Sequence, residues 1–250
     1  NVGSALGPLT AVAIIIGRGR GRMAWFMLFA LVAIGVLSTV SRWYATHLPL
    51  FKRKIGQRHG PQLSRGRVIG SLVVLALLLF SKFIYMSSMT SYYTFYLIDK
   101  FGLPVASAQM YLFLFLAAVA AGTFFGGPIG DKIGRKSVIW MSILGVAPFT
   151  LAMPYMTDLF WTGVLTMVIG FVLASAFSAI VVFAQELVPG NVGMIAGVFF
   201  GLTFGIGGLG AAGLGHIADV AGIAYVYKLC SFLPLLGMLT ILLPNVRGRK

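Results

Sequence analysis

Long apolar runs recur along the whole of this 250-residue chain, and nothing else in the sequence limits its fold so strongly. A helix rises 1.5 Å per residue, so about 20 apolar residues cross a hydrocarbon core of roughly 30 Å. Eight runs approach that length: Val2 to Ile16, Met23 to Val40, Val68 to Ile98, Val105 to Phe125, Ser137 to Met153, Phe160 to Ala184, Met194 to Leu214 and Tyr225 to Leu243. The predicted class is therefore all-α, a polytopic helical membrane protein with the lipid bilayer as its solvent. The run from Val68 is longer than the hydrocarbon is thick, so that helix must tilt or project into water.

Composition agrees. The chain is 59% hydrophobic and 10% charged, with mean hydropathy +0.96, against roughly 25% charged residues in an ordinary soluble domain. Five acids and 19 bases cannot cover the surface of a soluble protein carrying this much apolar sequence. A net charge of +14 raises the question of nucleic acid. The aromatics, however, lie inside the apolar runs and do not alternate with bases, so nucleic acid is not an expected partner. Bases gathered in loops suit anionic lipid head groups and the positive-inside rule. Cys230 is the single cysteine, which excludes an intrachain disulfide. The first residue is Asn1, the first run is short, and no basic n-region or cleavage site precedes it. The expectation is a truncated chain that starts inside a helix.

One long polar connection, residues 44–67, separates two runs from the six that follow. It holds Lys52, Arg53, Lys54, Arg58, Arg65 and Arg67. Taken as cytoplasmic, it places Lys132, Arg135, Lys136, Arg247, Arg249 and Lys250 on the same side, and leaves Arg18, Arg20, Arg22, Lys100 and Lys228 outside. The bias supports this orientation. The glycine–arginine alternation at 17–22 dissents from it and reads as a solvated turn.

The turn Gly126 to Lys136, GGPIGDKIGRK, lies between two apolar runs. Gly127 and Gly130 would let a helix end pack closely, and Gly134 would take the left-handed conformation of a tight turn. Asp131 would face a helix N-terminus, while Lys132, Arg135 and Lys136 would hold the turn on the cytoplasmic side. The competing reading is a generic basic loop. The spacing G-x-x-x-D-K-x-G-R-K resembles the signature that follows the second and eighth helices of major facilitator transporters. Gly3, Gly7 and Pro8 (GSALGP) resemble part of the fifth-helix signature of proton-coupled exporters in that superfamily, although Ala11 and Val12 stand where a glycine pair is usual. Without that resemblance they remain a small-residue helix contact.

Together the two motifs imply a register. Residues 1–43 would be the last two helices of an N-terminal six-helix half, 44–67 a cytoplasmic linker, and 68–250 the C-terminal half of a major facilitator fold, about eight of twelve helices in all. Longer stretches, among them SKFIYMSSMTSYYTFYLIDKFGL, VAAGTFFGGPIGDKIGRKSVIWMSILGVAPFTL and FVLASAFSAIVVFAQELVPG, resemble the fosmidomycin-resistance exporters of the same superfamily. That resemblance implies a monomeric multi-pass protein of the bacterial cytoplasmic membrane that uses proton influx to expel a small-molecule antibiotic. The alternative on the same fold is an importer of a small organic anion or sugar.

Lys82 is a lone charge near the middle of the third run. A cation there costs about 2.5–3.5 kcal/mol on insertion scales and should face a cavity or a partner. At 100° per residue Lys82, Tyr85, Met89, Tyr92 and Tyr96 share one helix face. The expectation is that Lys82 holds an anionic substrate and that Tyr85, Tyr92 and Tyr96 donate hydrogen bonds to it; a snorkelling lysine among packing aromatics is the competing reading. Glu186 would pair with Arg135 as part of a gate that also includes Gly127, Asp131 and Gly134, or else stand as a solvated carboxylate. Gly197, Gly201 and Gly205, at i, i+4 and i+8, would bring a helix into close contact with a neighbour. His216 and Asp219 could share a face as a proton relay, but two residues are too few for a metal site. No catalytic constellation, Walker motif or cofactor motif is present, so neither an enzyme nor a cofactor is expected.

Overall fold

The computed structural model describes residues 26–55 and 64–244. The motif residues Gly3, Gly7 and Pro8 lie outside them. Among the described residues the chain is helical throughout. α1 (Phe26–Ile55) runs on into the stretch expected as linker. α2 (Arg65–Phe101), α3 (Val105–Ile133), α4 (Arg135–Ile143), α5 (Ala147–Ala152), α6 (Leu159–Leu187), α7 (Val192–Ala221) and α8 (Ile223–Ser231) follow. A 3₁₀ segment, Leu233–Leu242, comes last. Six stretches beginning at Arg65 are long and apolar enough to cross a membrane: α2, α3, the pair α4–α5 through Tyr155, α6, α7, and α8 through Leu242. Each corresponds to an apolar run in the sequence.

The turns between them follow from local chemistry. Asp158 caps α6 by accepting hydrogen bonds from the backbone N–H groups of Phe160 (2.6 Å) and Trp161 (3.3 Å), the usual satisfaction of orphan donors at a helix start. Gly134 joins α3 to α4 at φ +93°, ψ 138°. The expected left-handed well is not the one occupied: this is an extended positive-φ geometry that a side chain would strain.

Two spans are broken. Between α4 and α5 the chain turns at Leu144–Val146, where Gly145 lies against the Met141 backbone and Pro148 sits at the start of α5. After α8, Pro234 stands at the start of the 3₁₀ segment. In hydrocarbon a freed backbone carbonyl needs an internal partner. Side chains supply them: Thr150 donates to the Ser231 carbonyl at 3.1 Å, and Ser81 donates to that of Leu233. The two breaks meet, since a Cβ on Gly237 would lie 2.7 Å from the Leu144 nitrogen.

The closest helix pair is α3 with α6, which lie together along much of their length. Gly122 and Gly126 of α3 rest on the backbone of Phe171 and Ser175, and a Cβ on Gly126 would come within 2.5 Å of the Ser175 carbonyl oxygen. Opposite them, Gly170 of α6 receives the Phe115 ring and Gly163 the Tyr111 ring. Among the described residues close glycine packing occurs here, whereas nothing described lies within 4 Å of a Cβ on Gly197, Gly201 or Gly205. Those three face away from the side of α7 that buries Ile195, Phe199 and Thr203. α2 and α7 form the other extensive pair, with Gly210 against Ile84 and Gly215 against the Tyr92 hydroxyl.

A methyl at residue 126 must push two backbones apart, which overpacking series put at about 1–3 kcal/mol. Gly126→Ala is expected to lower the thermal unfolding midpoint in detergent, followed by tryptophan fluorescence, and Gly190→Ala, in an open turn, to leave it in place. Equal midpoints for the two variants would count against the contact.

Candidate functional site

α2 is the hub of the described bundle, touching α3, α6, α7, α8 and the final 3₁₀ segment. Its inner stripe is buried: Lys82, Tyr85, Met89, Tyr93, Tyr96 and Leu97 are all 2% exposed or less. The hydroxyls on this stripe are held within the bundle. Tyr85 points to the Met153 sulfur at 3.7 Å, Tyr92 donates to the Ala211 carbonyl at 2.7 Å, and Tyr93 meets the Thr166 hydroxyl at 2.9 Å. Tyr96 accepts from the Lys100 ammonium at 2.9 Å and lies against the Tyr227 ring, centroids 4.2 Å apart. These contacts brace α2 against the turn after α5 and against α6, α7 and α8.

Lys82 does not join them. Its Nζ is buried and has no hydrogen-bond partner among the described residues. It sits 5.5 Å from the centroids of both Phe83 and Phe177. Phe177, on α6, meets Phe83 edge-on at 5.7 Å and Phe200 of α7 edge-on at 5.3 Å. A desolvated cation beside aromatic faces gains about 2 kcal/mol or more, which offsets part of the cost of the buried charge. Lys82 is the one fully buried charged side chain among the described residues. Neither Phe177 nor Phe200 was singled out in the sequence. The available signal was Phe177 standing as the one large ring in the small-residue stretch Ala174, Ser175, Ala176, Ser178 and Ala179.

The second cluster lies at the end of the bundle that carries Arg65, Arg67, Lys132, Arg135 and Lys136, the end that the positive-inside rule leads one to expect on the cytoplasmic side. Arg135 opens α4 and makes an ion pair with Glu186 in the last turn of α6; Asp131 at i−4 stands 3.7 Å away on its other side. Arg135 and Glu186 are about a quarter to a third exposed, and Asp131 is largely open to solvent. Lys136 donates to the carbonyls of Leu243 and Ile241. The signature turn is thus tied to the end of α6 and to the end of the last span. Gly127 borders open space and Gly130 makes only ordinary contacts with Val138 and Ala179, so neither is a site of tight packing. His216 and Asp219 are exposed near the end of α7, and among the described residues no group of three potential metal ligands occurs.

Reversing one charge of the Arg135–Glu186 pair sets like charges together, and reversing both restores the attraction. For a partly exposed pair the expected coupling is about 0.5–1 kcal/mol. A double-mutant cycle of Arg135→Glu and Glu186→Arg, read as unfolding midpoints, should show that rescue; strictly additive effects would mean the pair is not coupled.

The family profile described as Major Facilitator Superfamily matches residues 1–212 and 106–249. The fosmidomycin resistance protein of Escherichia coli is 60% identical over 249 residues, covering 100% of this chain and 61% of its own length. The MFS-type transporter YfnC of Bacillus subtilis is 38% identical over 248 residues, covering 98% of this chain and 60% of its own. The inner membrane transport protein YnfM of Escherichia coli is 33% identical over 104 residues, covering 40% of this chain and 24% of its own. The chain thus spans about three fifths of the length of the first two relatives. No solved structure matches it significantly.

Proposed function

The chain belongs to the Major Facilitator Superfamily, and from that premise we propose that the whole protein is a proton-coupled exporter of small anionic compounds, of which a phosphonate antibiotic such as fosmidomycin is one. The observation that carries the anionic substrate is Lys82, a cation buried near the middle of a 37-residue helix with no hydrogen-bond partner among the described residues. A buried charge of this kind is a functional site by default, because hydrocarbon offers it nothing. Export, and not import, is favoured by the name of the Escherichia coli relative, a resistance protein. Residence in the inner membrane fits the name of the third relative.

On this reading residues 1–43 and 68–250 belong to two halves joined by 44–67, and the substrate binds between halves by alternating access. Arg135, Glu186 and Asp131, with the Gly134 turn, close the cytoplasmic end. Tyr85, Tyr92 and Tyr96 would donate to substrate in a conformation where their present partners have moved. The five acids of the chain, Asp99, Asp131, Asp158, Glu186 and Asp219, all stand at or near helix ends. A carboxylate that carries the coupling proton would therefore come from the part of the relatives' length that this chain does not span.

In a pump-deficient host, the full-length protein is expected to raise resistance to fosmidomycin, and Lys82→Ala, at matched membrane expression, to abolish that gain. Unchanged susceptibility with the intact protein would remove the substrate. Resistance that survives Lys82→Ala would remove the role of the lysine.

A further inference from the structure

The cluster around Lys82 says more than that an anion binds. The ammonium reaches sideways from α2 to the ring of Phe177 on α6, and Phe177 bridges Phe83 and Phe200. Phe83 and Phe177 are partly buried, and Phe200 is 43% exposed. The rings thus lead from the buried cation toward the open face of α7. Beside Phe200, Gly197 and Gly201 leave space that no described side chain occupies.

The chemistry is one buried lysine amine and three phenyl rings, with no second buried lysine or arginine among the described residues. A single ammonium can compensate a single negative charge. A second negative charge brought to the same place would be buried without a counter-ion, which low-dielectric surroundings penalise heavily. The rings offer apolar area to whatever is attached to the anionic group, and their electropositive edges tolerate a neighbouring anion. Phe177 also stands at a seam. α2 packs extensively with α7 and α3 with α6, whereas α6 touches α2 and α7 far less, so the ring that covers the ammonium lies across the sparsest of the helix contacts that α2 makes.

We infer that Lys82, Phe83, Phe177 and Phe200 form a site for a singly charged amphiphilic anion, in which Lys82 takes the charge, the rings take the apolar body, and Phe177 is the specificity-determining residue that turns aside to admit it. This inference rests on the anion-binding reading of Lys82 and adds a charge limit and an apolar requirement that the reading alone lacks.

The test is equilibrium binding to the full-length protein in nanodiscs, measured by calorimetry at constant pH. Monomethyl esters of alkylphosphonic acids of increasing chain length serve as monoanions, and the unesterified acids, at a pH where they are doubly ionised, as dianions. Wild type should gain about three- to fourfold in affinity per added methylene over the first few carbons. It should bind each monoester about tenfold or more tightly than the dianion of the same length. Phe177→Ala should flatten the chain-length dependence while leaving the shortest monoester nearly unaffected, and Phe177→Leu, which keeps apolar area, should retain most of it. Lys82→Gln should lose every anion.

If Lys82→Gln binds as wild type does, the anion reading itself fails and this inference with it. If Lys82→Gln loses binding but wild type shows no chain-length dependence, or prefers dianions, the amphiphilic monoanion site is overturned while the anion reading stands. The wild-type series needs no variant, so a misfolded Phe177→Ala cannot shield the inference.

Discussion

Hydrocarbon provides no hydrogen bonds to a backbone, and every feature of this chain is arranged around that fact. Unbroken helices meet the requirement by themselves, as α2, α3, α6 and α7 do. Where a span breaks, a hydroxyl from a neighbour must stand in. Thr150 and Ser81 serve the carbonyls of Ser231 and Leu233 at the break after α8. Ser142 donates to the Val172 and Leu173 carbonyls of α6, which ties the broken span to its neighbour. The breaks are paired in space because Gly237 lets the final segment rest against the turn at Leu144. The irregular spans are therefore mutually supporting, and neither would be tolerable facing lipid alone.

Helices in lipid gain little from burying apolar surface against one another, so close packing must come from shape. Gly122 and Gly126 provide it by letting α3 touch the backbone of α6. Large rings then fill the reciprocal gaps, Phe115 at Gly170 and Tyr111 at Gly163. The result is a stiff α3–α6 pair, set beside an α2–α7 pair that is closed by Gly210 and Gly215.

How much of this was legible in the sequence follows from which properties are local. Span lengths depend on apolar runs alone, and all six spans from Arg65 onward lie where the runs placed them. The breaks were not read, although Gly145, Pro148 and Pro234 stood in view, because a proline within a span can also be absorbed as a kink. Pro128 sits inside α3 without ending it. The i, i+4 glycines at 197, 201 and 205 looked like a contact and are open on the described bundle, while Gly122 and Gly126, with the same spacing, carry one. Spacing tells that a face is bare and not what stands opposite. Lys82 was visible because charge is rare in a span. Its neighbour Phe177 was hidden because aromatics are common there, and the ring acquires meaning only when α6 is brought beside α2.

That juxtaposition also connects the two clusters on α6. Phe177 and Glu186 are nine residues apart, about 13 Å along the axis and on opposite faces of the helix. Glu186 meets Arg135 at the head of α4, and Phe177 meets Lys82 across the seam with α2. Backbone contact at Phe171 and Ser175 ties the middle of α6 to α3. A rigid displacement of α6 that parted Glu186 from Arg135 would carry the ring over Lys82 with it. On the proposed reading, such a displacement would close the cytoplasmic end and cover the buried cation together, with the glycines of the α3–α6 contact carrying α3 along with α6.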